Sequence, residues 1–224
     1  GASFAEVENF YDENMSLIRI KLNPAISPAA NAQKYYKDYQ KAKNAEHILT
    51  EQIEKGRSEL EYIDSVLDTV SRAESERELA QIREELTEQG YLRKQKGKQR
   101  PQAALPPLEF TSSDGFKILV GRNNTQNDKL TLKIANKNDM WLHTKDIHGS
   151  HTVVFAEGRE ISDTAILEAA QLAAYYSKAR ESSQVPVDYT LVRYVSKPSG
   201  ARPGMVIYVN NKTVYVTPKA NISE

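Results

Sequence analysis

Residues 110–155, FTSSDGFKILVGRNNTQNDKLTLKIANKNDMWLHTKDIHGSHTVVF, hold the side chains most able to do chemistry. Three of the four histidines, the only tryptophan and the run Arg122-Asn123-Asn124 fall there. His143, His148 and His151 lie within nine residues, and imidazole is the commonest metal ligand. Their spacing does not favour a metal. A strand from 140 turns His143 away from Leu142, while His148 and His151 bracket a Gly149-Ser150 turn. No H-E-x-x-H pattern accompanies them. Hydrogen bonding to backbone or phosphate is the expected role, and no metal or cofactor is expected. A hydrolase built on Ser150, His148 or His151 and Asp146 is equally poorly supported. Triad members come from separate loops, and no G-x-S-x-G elbow is present. Neither phosphate-loop fingerprint occurs. No residue is assigned a catalytic role.

A binding face remains. Arg122, Asn123, Asn124, Gln126 and Asn127 make a dense run of donors after a strand. Trp141 offers a stacking plane, with His143 and Lys145 at alternate positions on the same strand. Lys197 and Arg202 flank a turn rich in proline and glycine. Charges for phosphates, planes for bases and amides for base edges are what RNA recognition requires. Each residue also has a plainer reading. Trp141 can be core, the asparagines can cap helices and turns, and 197–204 can be a structural turn set.

Composition bounds the rest. The chain has 224 residues, no net charge and no cysteine. Disulfides and thiolate chemistry are excluded, which fits a reducing compartment. No apolar run has the ~18 residues of a membrane span, so no membrane insertion is expected. No signal peptide is legible. A local excess of charge sits at 91–102, where Arg93, Lys94, Lys96, Lys98 and Arg100 occur without an acid. Such a run reads as a solvated linker or a phosphate-binding arm.

Four segments must position these residues. In 1–26, Met15–Leu22 alternates with period two, and a small β-hairpin is expected. In 27–92, Ser27-Pro28 opens a long helix. Tyr39, Ala42, Leu49, Ile53, Leu60, Ile63, Leu67 and Val70 form a coiled-coil seam along it. Gly56 predicts a break or bend there. A second helix is expected from Ser75 to Gln89, ended by Gly90. This helical arm needs a partner for its seam, and the isolated chain is expected to self-associate through it. Residues 93–107, basic and then proline-rich, read as a linker. The unit at 108–224 is expected to be mixed α/β. It should hold a hairpin turning at Ser113-Asp114-Gly115, strands at 140–144, 151–156 and 187–195, and a helix over 162–181. A last hairpin is expected to pair 205–209 with 213–217, and a short helix is expected at 125–135. The fold class is therefore α+β.

The blocks SSDGFKILVGRNNTQNDKLT, NDMWLHTKDIHGSHTVV, ILEAAQLAAYYSKAR and VPVDYTLVRYVSKPSGARPGMVIY resemble the C-terminal R domain of the NFACT family. The run NAQKYYKDYQKAKNAEH is similar to the second half of that family's middle coiled coil. The resemblance implies a C-terminal half, with further domains upstream. It implies binding to a large (50S) ribosomal subunit that carries peptidyl-tRNA, and recruitment of alanyl-tRNA for C-terminal alanine tailing. Peptide-bond chemistry would stay with the ribosome. It also implies an alternative, since streptococcal members are described as adhesins for host fibronectin or fibrinogen. The RNA-binding reading places Arg122, Asn123, Asn124, Asn127, Trp141, His143, Lys145, His148, Ser150, His151, Lys197 and Arg202 at the tRNA site. The expected location is cytoplasmic, and the alternative is the bacterial cell surface.

Overall fold

The computed structural model describes residues 1–93 and 104–220. The basic run from Lys94 to Arg100, and most of the expected linker, lie outside the described residues. Contacts divide the chain into two compact units, Gly1–Ser58 and Glu59–Glu224.

The first unit holds an antiparallel hairpin of β1 (Phe4–Glu8) and β2 (Leu17–Lys21), followed by the start of helix α1 (Pro28–Arg72). Ser27 caps α1, its hydroxyl accepting from the Ala30 N–H at 3.1 Å. Asn31 is buried under the hairpin's exit. Its side chain accepts from Asn23 N at 2.8 Å and donates to Asn23 O at 3.0 Å. Of the break or bend expected at Gly56, the break does not occur, and α1 runs through it. A glycine costs a helix only about 1 kcal/mol, and the unbroken hydrogen-bond ladder on either side absorbs that cost. The seam residues Tyr39, Leu49 and Ile53 are exposed.

The second unit begins with the last turns of α1. There the buried stripe is Tyr62, Val66 and Thr69, offset from the expected seam, whose Leu60, Leu67 and Val70 stay exposed. Tyr62 and Val66 pack on Ile82 of α2 (Glu76–Glu88). Ser75 caps α2, and Gly90 follows it at φ +84°, the left-handed conformation a helix exit favours.

Eight strands follow: β3 (Leu108–Thr111), β4 (Lys117–Val120), β5 (Met140–Thr144), β6 (Thr152–Val154), β7 (Val185–Leu191), β8 (Val195–Ser196), β9 (Ile207–Tyr208) and β10 (Lys212–Val216). Six form one antiparallel sheet in the order β10-β7-β5-β6-β4-β3. The last hairpin is not as expected. β10 pairs with β7, and β9 pairs with β8. The alternation in 205–217 is real, but Asn210, at φ +56°, redirects the chain between two sheets instead of closing a hairpin.

Both faces of the inner strands β4 and β6 are covered by apolar side chains, and KILV and TVV accordingly read as near-continuous apolar runs. Helix α4 (Asp163–Tyr175) covers one face, its alanines close against Ile118, Val120, Leu142, Val154 and Val187. It ends six residues before the expected Glu181, where the chain bends at Tyr176 to let Ser177 bridge Gly149. The opposite face carries Leu119, Trp141 and Val153. These pack with Leu130 from the helical run α3 (Asn124–Lys129) and its one-turn π extension (Leu130–Ile134). Val192 and Val195 complete this second core.

Candidate nucleic-acid interface

The polar run after β4 is locked in place by its own side chains. Asn123 caps α3, accepting the Gln126 N–H at 2.8 Å. Asn124 donates to the Ser65 hydroxyl at 2.9 Å. It also lies under Gly204, where a β-carbon would come within 2.5 Å of its Oδ1, at φ +78°. Asn127 Oδ1 accepts from His151 N at 3.1 Å, and a side chain at Gly121 would strike that same oxygen. All three asparagines are buried. Glu85 of α2 holds Thr125 in the same run. It accepts from Thr125 N at 2.9 Å, Thr125 Oγ1 at 3.0 Å and the Tyr62 hydroxyl at 2.9 Å. Three donors around one buried carboxylate satisfy it in the way a low-polarity site requires.

The cations named from sequence divide by environment. Arg122 forms a half-buried pair with Glu78, Nη1 to Oε1 at 2.5 Å, and its Nε donates to Pro106 O at 2.9 Å. Burial pushes the Glu78 carboxyl up, but the Glu74 N–H and Arg122 outweigh it and hold it below its ordinary value. Lys197 pairs with Asp128 and donates to Arg202 O at 2.9 Å. Arg202 donates to Gln89 Oε1 at 3.0 Å and lies 5.3 Å from the Tyr91 ring centre. Lys145, just beyond β5, is exposed and has no acidic partner among the described residues.

Trp141 is 1% exposed. It lies parallel to the His143 ring at 5.8 Å, edge-on to His151 at 5.2 Å and 4.8 Å from Tyr208. The plainer of its two readings describes its surroundings: it is a core side chain, with no face open to a base. Its Nε1 is buried without a hydrogen-bond partner, which costs roughly 1–3 kcal/mol. His143 and His151 form one aromatic cluster with it. Burial, opposed by backbone hydrogen bonds, lowers His143 to about 4. Burial and then the neighbouring His143 lower His151 to about 3. Both rings are neutral near pH 7 and add no charge to an RNA surface. His151 Nδ1 lies 2.8 Å from Thr131 Oγ1, so its polar edge is satisfied internally. His148 is half-buried, and its carbonyl accepts from Lys178 N at 2.9 Å. Ser150 is buried, and its backbone N–H donates to Tyr176 O at 2.9 Å. No group of three histidines or carboxylates among the described residues is arranged to hold a metal.

The fold therefore gathers Arg122, Asn123, Asn124, Asn127, His151, Lys197 and Arg202 into a largely internal set of polar contacts around α3, with Ser150 buried next in the chain to His151 and with Trp141 and His143 stacked beneath. Lys145 and His148 lie outside it. The carboxylates that complete it, Glu78, Glu85 and Asp128, were not among the residues expected from sequence. Only the surplus of donors at 122–127 signals that such acceptors are needed.

Comparison with known proteins agrees with this architecture. Residues 1–104 match the NFACT N-terminal and middle domains, and residues 107–210 match the NFACT protein RNA binding domain. The Rqc2 homolog RqcH of Bacillus subtilis (strain 168) is 49% identical over 224 residues, which are 99% of this chain and 39% of that protein. The Rqc2 homolog RqcH of Streptococcus suis (strain 05ZYH33) is 43% identical, over 96% of this chain and 38% of its own length. The chain thus spans about two-fifths of the curated relatives it matches. The solved C-terminal part of the fibronectin/fibrinogen-binding protein from Streptococcus suis superposes with a TM-score of 0.80 at 44% identity, covering 85% of this chain and 77% of that one. A shared fold at that identity, with both family regions matched in order along one chain, is what common descent produces, and the chain belongs to the NFACT family, carrying a stretch that matches its N-terminal and middle domains together with its RNA-binding domain.

Proposed function

We propose that this chain is the RNA- and ribosome-binding part of a ribosome quality control factor. The observation that carries this reading is the match of 107–210 to the NFACT RNA binding domain in a chain 49% identical to an Rqc2 homolog RqcH. Its ligands in this reading are tRNA and the large ribosomal subunit holding a peptidyl-tRNA. The finer step is recruitment of alanyl-tRNA for template-free C-terminal alanine tailing. The chain contributes binding and orientation to that step and no covalent chemistry, so it is not an enzyme in this reading. The work takes place in the cytoplasm. The exposed seam of α1 supports self-association of the isolated chain; a clean monomer in sedimentation at high concentration overturns that part alone.

A second reading has one specific observation in its favour, the likeness to the fibronectin/fibrinogen-binding protein of Streptococcus suis. It makes the chain a cell-surface adhesin. One experiment separates the two: binding to deacylated tRNA across a salt series, with fibronectin titrated in parallel. Micromolar or tighter tRNA binding that falls steeply with salt supports the first reading. Saturable, salt-tolerant fibronectin binding without a tRNA signal overturns it in favour of the second.

A further inference from the structure

Three of the four cations that the sequence offers to phosphate are engaged within the protein. Arg122 holds Glu78, Lys197 holds Asp128, and Arg202 is fixed on Gln89 beside Tyr91. A phosphate at Arg122 or Lys197 would have to displace a carboxylate in a partly desolvated site. The fourth, Lys145, is exposed, and further exposed cations of the same unit lie together elsewhere. Lys129, Lys133 and Lys137 follow one another at four-residue steps. The first two stand about one helical turn apart on α3 and its π extension, and all three are exposed. Arg193 joins them at the far end, its N–H and Nε donating to Lys137 O at 3.3 and 3.2 Å. It also donates to the Asn138 side chain.

We propose that Lys129, Lys133, Lys137 and Arg193 form the ridge that grips the phosphodiester backbone of RNA. The proposal rests on the RNA-binding reading above. Four observations support it. First, among the described residues no carboxylate forms an ion pair with any of these four cations. Second, the acids nearest in sequence are consumed. Asp128 is held by Lys197 and the Gly204 N–H, and buried Asp139 accepts from Asn136 N at 2.7 Å and Ala156 N at 2.9 Å. Third, the second strand of the ridge comes from a stretch without acids: residues 190–219 contain five Lys or Arg and no Asp or Glu. Fourth, the ridge is anchored. Leu130 and Val192 are buried in the shared core beneath it, and Val192 N donates to Asp139 O at 2.9 Å. The backbone is fixed while the lysine heads remain in water, so binding orders side chains only.

In a chain of zero net charge, such a local field, and not the bulk charge, attracts a polyanion. One border is visible. A groove of about 480 Å³ beside Lys129 is rimmed by the exposed Glu84 and Glu88 of α2, which repel phosphate on that side. Tyr194 is exposed next to Arg193 and offers the aromatic plane that buried Trp141 does not.

The test is fluorescence anisotropy of the 224-residue chain with deacylated tRNA, from about 50 to about 200 mM salt. Replacing Lys129, Lys133, Lys137 and Arg193 by alanine together should flatten the slope of log affinity against log salt by about four, and weaken binding roughly tenfold or more at the low-salt end. If loss of the Arg193 hydrogen bonds unfolds that variant, the triple lysine variant carries the test, with a slope change of about three. Replacing exposed Lys178 and Lys212, two charges against the ridge's four, should leave the slope unchanged, where loss of two ridge lysines should flatten it by about two. Unchanged binding in the ridge variants, or equal losses in the two controls, overturns the ridge while the RNA-binding reading stands. Absence of tRNA binding by the parent chain overturns both.

Discussion

Residues 121–128 and 129–137 are consecutive, both carry charged and hydrogen-bonding side chains, and they differ in where those side chains go. In the first, Asn123, Asn124 and Asn127 are buried, and Arg122 and Asp128 are paired. In the second, Lys129, Lys133 and Lys137 have their heads in water above a buried Leu130. Side-chain chemistry explains the difference. Asparagine is short and carries both donor and acceptor close to the backbone, so it caps helices and fills loops. Lysine has a long apolar stem and no acceptor, so it covers a surface and leaves its charge outside. Density of polar residues marks a region that bonds, without saying whether to the protein or to a ligand.

The largest test of the internal side of this comparison is Trp141→Ala. Truncating a fully enclosed tryptophan should cost about 3–5 kcal/mol in chemical denaturation. If the variant folds with parental stability and loses tRNA affinity, Trp141 is a stacking platform and the core assignment falls. Glu85→Ala comes next. It strands the Tyr62 hydroxyl and both Thr125 donors, and the expected loss is about 2–3 kcal/mol. A loss under about 0.5 kcal/mol, typical of an exposed site, would place that carboxylate in solvent.

Acid titration sharpens the same contrast. His143 and His151 are held neutral in the fold, near 4 and 3, against 6.5 for the unperturbed ring. Below 6.5 the unfolded chain takes up protons that the folded chain refuses. Stability is therefore complete above that value and falls as pH drops from 6.5 towards 4 for His143 and towards 3 for His151. The slope is up to about 1.4 kcal/mol per pH unit per ring. Denaturation midpoints at neutral and mildly acidic pH measure it. A flat profile, with His151→Gln matching the parent, would mean that both rings are solvated.

Much of the fold was legible before any coordinates. The hairpin at 4–21, the two helices with the Ser27 cap and the Gly90 exit, and the turn at Ser113-Asp114-Gly115 all follow from local rules of period, cap and turn. The misreadings share a cause. The pairing of β10 with β7, and not with β9, is decided by tertiary contacts that no local window contains. Gly56 signals a break only on propensity, and a long helix overrides one weak residue. At the site, the sequence singled out the correct neighbourhood but could not see Glu78 and Glu85. They lie about 40 residues upstream, and only the packing of α2 brings them under the loop. Lys129, Lys133 and Lys137 carried a readable four-residue spacing, overshadowed by richer functional groups on either side.

The smallest expected effect separates the two kinds of cation most cleanly. Arg122→Ala removes the partner of a half-buried Glu78 and should cost about 1–2 kcal/mol of stability, more than an exposed pair contributes because the carboxylate is left partly desolvated. Lys133→Ala touches no hydrogen bond in the folded chain and should stay within about 0.5 kcal/mol of the parent. Salt-dependent tRNA binding should rank the two in reverse, with Lys133→Ala flattening the slope by about one and Arg122→Ala leaving it near the parent value once both proteins are folded. The comparison fails if both variants move stability and binding together. The polar loop and the ridge would then be one continuous surface, with the ion pair to Glu78 opening whenever phosphate arrives.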